Sequence, residues 1–151
     1  MRRLLFYVLK VVAFCSRSLS PKLYLKLIVL AHKSQGVCFD GFPEYIHTDA
    51  YLDASGGLTI GDKVVISTNV IVLSHDWSFL KRASMAADKD TAFRSVCIGK
   101  NSFIGAGAIL LPGTIIGKSC IVGAGTVVKG NVPDYAIVVG NPAKVIGDTR
   151  K

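Results

Sequence analysis

The feature that most constrains this chain is a six-residue period in its second half. Aliphatic residues stand at Ile98, Ile104, Leu110, Ile116, Val122 and Val128, and glycine follows at Gly99, Gly105, Gly117 and Gly123. Four positions after the aliphatic residue comes a small one, at Ala108, Thr114, Cys120 and Thr126, and Ile60, Ile66 and Val72 keep the same step earlier in the chain. A period of six matches neither the 3.6 residues of an α-helical turn nor the simple alternation of a strand. Short strands joined by tight corners do match it. Three such units close one triangular coil, and stacked coils gather the aliphatic residues into an interior column while each strand lies parallel to its equivalent in the next coil. Glycine after the aliphatic residue is expected to provide positive φ at the corner and close approach of neighbouring backbones. Between Val37 and Leu58 the spacing is looser. Ile46, Leu52 and Leu58 are in step, but Gly56-Gly57 inserts a two-residue slip before Ile60, which predicts an irregular first coil.

The run IVGAGTVVKGNVPDYAIVVGNPAKVI, from Ile121 to Ile146, resembles the closing signature of the hexapeptide-repeat acyltransferases. The resemblance is specifically to the maltose and galactoside acetyltransferase branch and to acetyltransferases of polysaccharide gene clusters, and it spans roughly residues 58–147. The resemblance implies a mainly β fold, a left-handed parallel β-helix, assembled as a homotrimer. It also implies acetyl-CoA as cosubstrate, a sugar or glycan acceptor, and no metal.

Residues 1–36 form a separate, basic segment ahead of the β-helix of residues 37–147. The net charge of +8 is concentrated there: residues 1–38 carry seven basic residues and no acidic one, whereas the remainder carries 11 basic against 10 acidic. A nearly neutral body argues against nucleic acid as partner. Arg3, Lys10 and Arg17 are seven apart and share one helical stripe, with Leu4, Leu5, Tyr7, Val8, Val11, Val12 and Phe14 around the rest. Ser20-Pro21 punctuates the chain, Ser20 as N-cap and Pro21 as first helical residue of a second helix running to about Lys33. Lys10 and Lys26 interrupt the apolar runs, so neither helix has the ~20 apolar residues of a membrane span. An acid-free pair of helices suits either the open end of the β-helix, as a cap, or peripheral association with an anionic membrane through residues 1–33.

Of three histidines, His75 alone lies within the repeat region, in VIVLSHDW, where the register breaks. The hexads resume at Ile98, making residues of about 76–95 an excursion from the coil, the kind of loop on which solenoids carry function. In the resembled family a histidine at this place takes the proton from the acceptor hydroxyl as it attacks the thioester, and His75 matches it. Imidazole changes protonation near neutral pH, so it suits a base that later returns the proton to a departing thiolate. The family's cofactor groove, mapped by position, falls on Ala106 and Ala124 for the pantetheine arm, Thr126 and Lys129 near its far end, and Lys144 near the 3′-phosphate. Two departures stand out: Phe103 replaces the usual tryptophan beside the cofactor, and Lys129-Gly130-Asn131 replaces Thr-Lys-Asp. For the acceptor, Asp53 in the preceding coil and Asp76 and Trp77 beside the histidine supply carboxylates and a stacking ring. Asp76 could instead orient the imidazole, and Trp77 could instead anchor the loop.

Other readings of the same fold are weighed by residue type. A γ-class carbonic anhydrase needs three clustered histidines on zinc, which His32, His47 and His75 do not provide by spacing. A non-catalytic β-helix scaffold would not require His75, and an amine on an amino sugar is an alternative acceptor to a hydroxyl. Cys15, Cys38, Cys97 and Cys120 form no CxxC or Cys/His pair and read as reduced thiols. No small-residue cleavage site follows the apolar start, so the expectation is a cytoplasmic protein, on the inner face of the cytoplasmic membrane if it is peripheral.

Overall fold

The computed structural model describes residues 2–76, 78 and 93–151. Two helices, α1 (Arg2–Ser16) and α2 (Pro21–Ser34), precede the strands. Ser20 caps α2 as its spacing predicts, its hydroxyl accepting the Leu23 N–H at 3.3 Å, and Pro21 occupies the first turn, where no N–H is needed. The helix buries Tyr24, Ile28, Val29, Ala31 and His32. The Tyr24 hydroxyl donates to the Ile46 carbonyl at 2.6 Å and its ring stacks on Tyr45, fastening α2 to the first coil.

The strands build a parallel β-solenoid. The first coil contains β1 (Cys38–Asp40), β2 (Tyr45–Ile46) and β3 (Tyr51–Leu52), and the second β4 (Leu58–Gly61), β5 (Val65–Ile66) and β6 (Ile71–Val72). The third contains β7 (Val96–Ile98), β8 (Phe103–Ile104) and β9 (Ile109–Leu110), and the fourth β10 (Ile115–Ile116), β11 (Ile121–Val122) and β12 (Val127–Val128). Last come β13 (Asn131–Val132), β14 (Ala136–Val139) and β15 (Lys144–Asp148). Three sheets run up the prism, β1-β4-β7-β10-β13, β2-β5-β8-β11-β14 and β3-β6-β9-β12. β15 pairs antiparallel with β14, turning the chain back at the end of the second sheet.

The aliphatic column lies where the period puts it. Ile60, Ile66, Val72, Ile98, Ile104, Leu110, Ile116, Val122 and Val128 are all buried, and burying one such side chain is worth about 1.5–3 kcal/mol. Leu110 pairs with Val128, eighteen residues on, whereas Leu52 pairs with Val72, twenty residues on. The two extra residues of the first coil fall at the Gly56-Gly57 corner.

The corners divide their chemistry differently from the expectation. Positive φ falls three positions after the aliphatic residue, at Lys63, Asn69, Asn101, Gly107, Gly113, Ser119, Gly125 and Tyr135. The glycine directly after the aliphatic residue is not left-handed and serves close approach alone: a Cβ on Gly105 would lie 2.7 Å from the Ala124 nitrogen of the next coil.

Helix α1 turns its cationic stripe toward the body. Lys10 is half-buried with its ammonium 5.2 Å from the Phe6 ring centre, and Arg17, just past the helix, reaches His47 Nε2 at 3.3 Å. The rest of its outer surface is apolar and exposed, with Leu4 at 72% and Val11 and Phe14 at 63%. Among the described residues no helix is long and apolar enough to cross a membrane.

Candidate active site

His75 stands three residues past β6, on the edge where the third sheet turns toward the first, and forms an isolated antiparallel bridge with Phe93. The equivalent corner of the first coil, just below, carries Asp53 and Ser55. Stacking brings these corners together. Asp53 Oδ2 lies 2.7 Å from His75 Nδ1 and accepts the Ser74 N–H at 2.8 Å and the Ser74 hydroxyl at 2.7 Å. Asp53 Oδ1 accepts the Ser55 N–H at 3.0 Å, and the Ser55 hydroxyl lies 3.1 Å from His75 Nδ1. Burial pushes the Asp53 carboxyl up, but the hydrogen bonds from Ser74 and Ser55 outweigh it and hold the group well below the usual carboxylate range. An ionised carboxylate against Nδ1 requires the proton on that nitrogen, which leaves Nε2 as the basic atom of the neutral ring.

Ser74 is fully buried, and besides donating to Asp53 its hydroxyl accepts the Gly56 N–H at 2.8 Å. Gly56 lies beneath the start of the excursion, where a Cβ would come within 2.1 Å of the Ser74 carbonyl oxygen and 2.9 Å of the Arg94 nitrogen. The two-residue slip therefore passes under Ser74 in a space only glycine fits. Asp76 accepts the Ser78 N–H at 2.8 Å, a local turn. Trp77 lies outside the described residues. Among the described residues, no group of three or more His, Cys, Asp or Glu side chains is placed to hold a metal ion.

Residues 98–130 match the family model for bacterial transferase hexapeptide (six repeats). A Saccharomyces cerevisiae protein provisionally named an acetyltransferase is 30% identical over 149 residues, covering 85% of this chain and 74% of its own. The chain belongs to the hexapeptide-repeat acetyltransferases. An Escherichia coli K12 protein of this kind, WbbJ, provisionally named a lipopolysaccharide biosynthesis O-acetyl transferase, is 31% identical over 121 residues, covering 74% of this chain. The chain spans 61% of that relative's length and 37–51% of the next three curated relatives. A galactoside acetyltransferase solved in complex with coenzyme A superposes with a TM-score of 0.66 over 98% of this chain and 80% of its own, at 21% identity, a likeness of fold.

In this hexapeptide-repeat protein the residues expected at the cofactor groove do not gather around His75. Ala106 and Ala124 stack in consecutive coils, the Gly125 N–H donating to the Ala106 carbonyl at 2.8 Å, on the edge between the second and third sheets. Phe103 is exposed on β8, Lys129 is exposed just past β12, and Lys144 is exposed at the start of β15. Thr126 departs from the expectation: its side chain is fully buried, and its hydroxyl accepts the Gly140 N–H at 3.3 Å. It is the small inward residue of its hexad, so its side chain presents nothing at the surface. Residue type does not mark out Ser55 and Ser74. Coil arithmetic finds them, because a twenty-residue coil places Ser55 directly under His75.

Proposed function

We propose that the chain transfers an acetyl group from acetyl-CoA to a hydroxyl of a saccharide or lipid-linked glycan precursor, with His75 as general base. The observation that carries this reading is the Asp53 carboxylate on His75 Nδ1, which keeps the proton on that nitrogen and leaves Nε2 to accept one. Acetyl-CoA supplies the thioester carbonyl when bound. Nε2 takes the proton of the acceptor hydroxyl as that oxygen bonds to the carbonyl carbon, and the imidazolium then returns the proton to the sulfur as the C–S bond breaks. Asp53 holds the ring through both transfers and counters its transient charge, and Ser74 and Ser55 keep Asp53 ionised.

The stacked edge of Ala106 and Ala124 fits an extended pantetheine arm, since small side chains leave backbone amides accessible, and exposed Lys129 and Lys144 suit its phosphates. That edge and the His75 edge are different edges of one prism. A homotrimer, in which one subunit's Ala106 edge lies against its neighbour's His75 edge, joins them. The O-acetyl transferase name of the E. coli relative supports a hydroxyl acceptor. The exposed apolar face of α1, beside exposed Lys22, Lys26 and Lys33, suits peripheral binding to anionic membrane, and residues 1–36 act as that docking element. Sedimentation with anionic liposomes should fall when Leu4 and Val11 are changed to Glu.

The deciding experiment follows CoA release with acetyl-CoA and a panel of sugar acceptors. His75→Ala should lower kcat/KM by about 10²–10⁴-fold with an unchanged melting temperature, and the product should be an ester cleaved by hydroxylamine. Turnover retained by the variant removes His75 from the mechanism.

A further inference from the structure

Helix α1 gives the body only a narrow stripe. Ala13 and Ser16 are buried and Phe6 meets His32 of α2 edge-on at 5.3 Å, while Leu4, Leu5, Val8, Val11, Val12 and Phe14 are exposed. An exposed apolar arc of this width marks a surface that something covers. One face of α2 repeats Leu23, Lys26, Leu30 and Lys33 at helical spacing, all exposed. Residues 1–38 contain no acidic residue, and among the described residues Lys22, Lys26 and Lys33 pair with no carboxylate. Apolar area edged by unneutralised cations complements an anionic bilayer. A second copy of the same surface would set those cations against one another.

The same helix lies close to the base. Arg17, just past its end, meets His47 Nε2 at 3.3 Å at the corner before β3. Its first turns, through Arg3, Phe6 and Tyr7, face the corner after β3, Asp53 to Ser55, across a cleft. The helix therefore runs alongside β3 and brings its N-terminal turns beside the corner that holds His75 Nδ1. His75 is one coil further along, a step of about 4.8 Å, and a helix with its side chains is about 10 Å across. With the outer face of α1 in a bilayer, the base stands at most about 15 Å from the lipid that the helix touches.

We propose that the membrane presents the acceptor: a lipid-linked saccharide held in the same anionic bilayer as α1 and acetylated on the sugar next to its lipid. The inference rests on the reading of His75 as the base and of residues 1–36 as the docking element, and the short span between the two separates a lipid-linked acceptor from a free one. A docked enzyme gains local concentration of an acceptor anchored in the same surface. It gains none of a free sugar.

Each sugar of the acceptor panel is offered to the full chain as its methyl glycoside in solution and as a long-chain alkyl glycoside in vesicles of phosphatidylcholine with phosphatidylglycerol, and CoA release is followed in both. For at least one sugar the vesicle-borne form should show a kcat/KM at least about tenfold above that of the methyl glycoside. The ratio should fall toward one in vesicles of phosphatidylcholine alone, at high salt and in the double variant Leu4→Glu/Val11→Glu. On a lipid-linked disaccharide the ester should form on the lipid-proximal sugar. A ratio of one in the anionic vesicles, a ratio that survives the double variant, or an ester confined to the distal sugar overturns the proposal. So does a chain that leaves the vesicles unbound and self-associates through Leu4 and Val11, which gives the apolar arc to a second copy. With methyl glycosides still turned over, these results remove this inference alone. No CoA release with any acceptor, from protein that sediments with the vesicles, removes the acetyl-transfer reading and this inference with it.

Discussion

The third and fourth coils and the first two coils are built on one plan and treat polar groups in opposite ways. From Val96 to Val128 the register is eighteen residues per coil, and each inward hydroxyl is absorbed by neighbouring backbone. Ser102 donates to the Gly117 carbonyl at 2.8 Å, and Thr114 to the Val128 carbonyl at 3.1 Å. In the first two coils the spacing widens, and the corner that gains residues holds Asp53, Ser55, Ser74 and His75 bonded to one another. Regular stacking leaves a side chain nothing to bond but the next coil. A break in register leaves room for a carboxylate to face an imidazole.

The largest effect that sharpens this contrast lies at Asp53. Asp53→Asn keeps the shape but removes the charge that holds the proton on Nδ1, so roughly a tenfold to thousandfold loss in kcat is expected, smaller than the loss on removing the imidazole. Its stability signature has a defined sign. The carboxyl is depressed in the fold, so its stabilisation is complete above about pH 4, near the unfolded-chain value, and is lost as pH falls toward the native value. Urea midpoints of wild type and Asp53→Asn should converge as pH drops below 4. Parallel curves would mean that the Asp53 charge contributes nothing to folding.

A pair of glycine substitutions breaks the comparison at the next size down. Gly99→Ala puts a methyl group 2.5 Å from the Gly117 oxygen, and Gly56→Ala puts one 2.1 Å from the Ser74 oxygen. Both should cost about 1–3 kcal/mol, the usual penalty of overpacking, read as a lower melting temperature. Only Gly56→Ala displaces Ser74 and with it Asp53 and His75, so only that variant should also lose kcat at temperatures where it is fully folded. Equal specific activities would uncouple the slip from the site.

The difference between the two regions also marks what the sequence disclosed. The period of six was enough for the coil, the sheets and the buried column, because one aliphatic residue per hexad leaves no other register in which the column closes. His75 stood out because it ends a run of hexads. The partners of His75 were less legible. Asp53 is 22 residues away, and only the combination of a twenty-residue coil with two corner positions sets it against the ring. The duties of the corner glycines are not separable in the sequence: left-handed φ and close approach look alike in composition, and only the backbone separates Gly105 from Gly107. The orientation of α1 was also illegible, because a stripe of three cations says which residues share a face but not which face the protein covers.

The smallest expected effect concerns His32, on the α2 side of the irregular half. Neither ring nitrogen has a hydrogen-bonding partner among the described residues, although the side chain is 1% exposed and packs edge-on to Phe6 at 5.3 Å. Burial, and then the charge of Lys10, push the imidazole down from 6.5 to about 3. The unfolded chain therefore takes up a proton as pH falls below 6.5 while the folded chain does not until near 3, so stability is full above that window and declines through it. His32→Leu removes two unsatisfied buried nitrogens at the cost of one ring contact, for a net gain of about 1 kcal/mol at pH 7. The gain should widen at pH 5, because the variant no longer loses stability through protonation of the unfolded chain. Denaturant midpoints at the two pH values measure both quantities. An undiminished pH slope in His32→Leu would place the acid sensitivity of this half of the molecule on other groups.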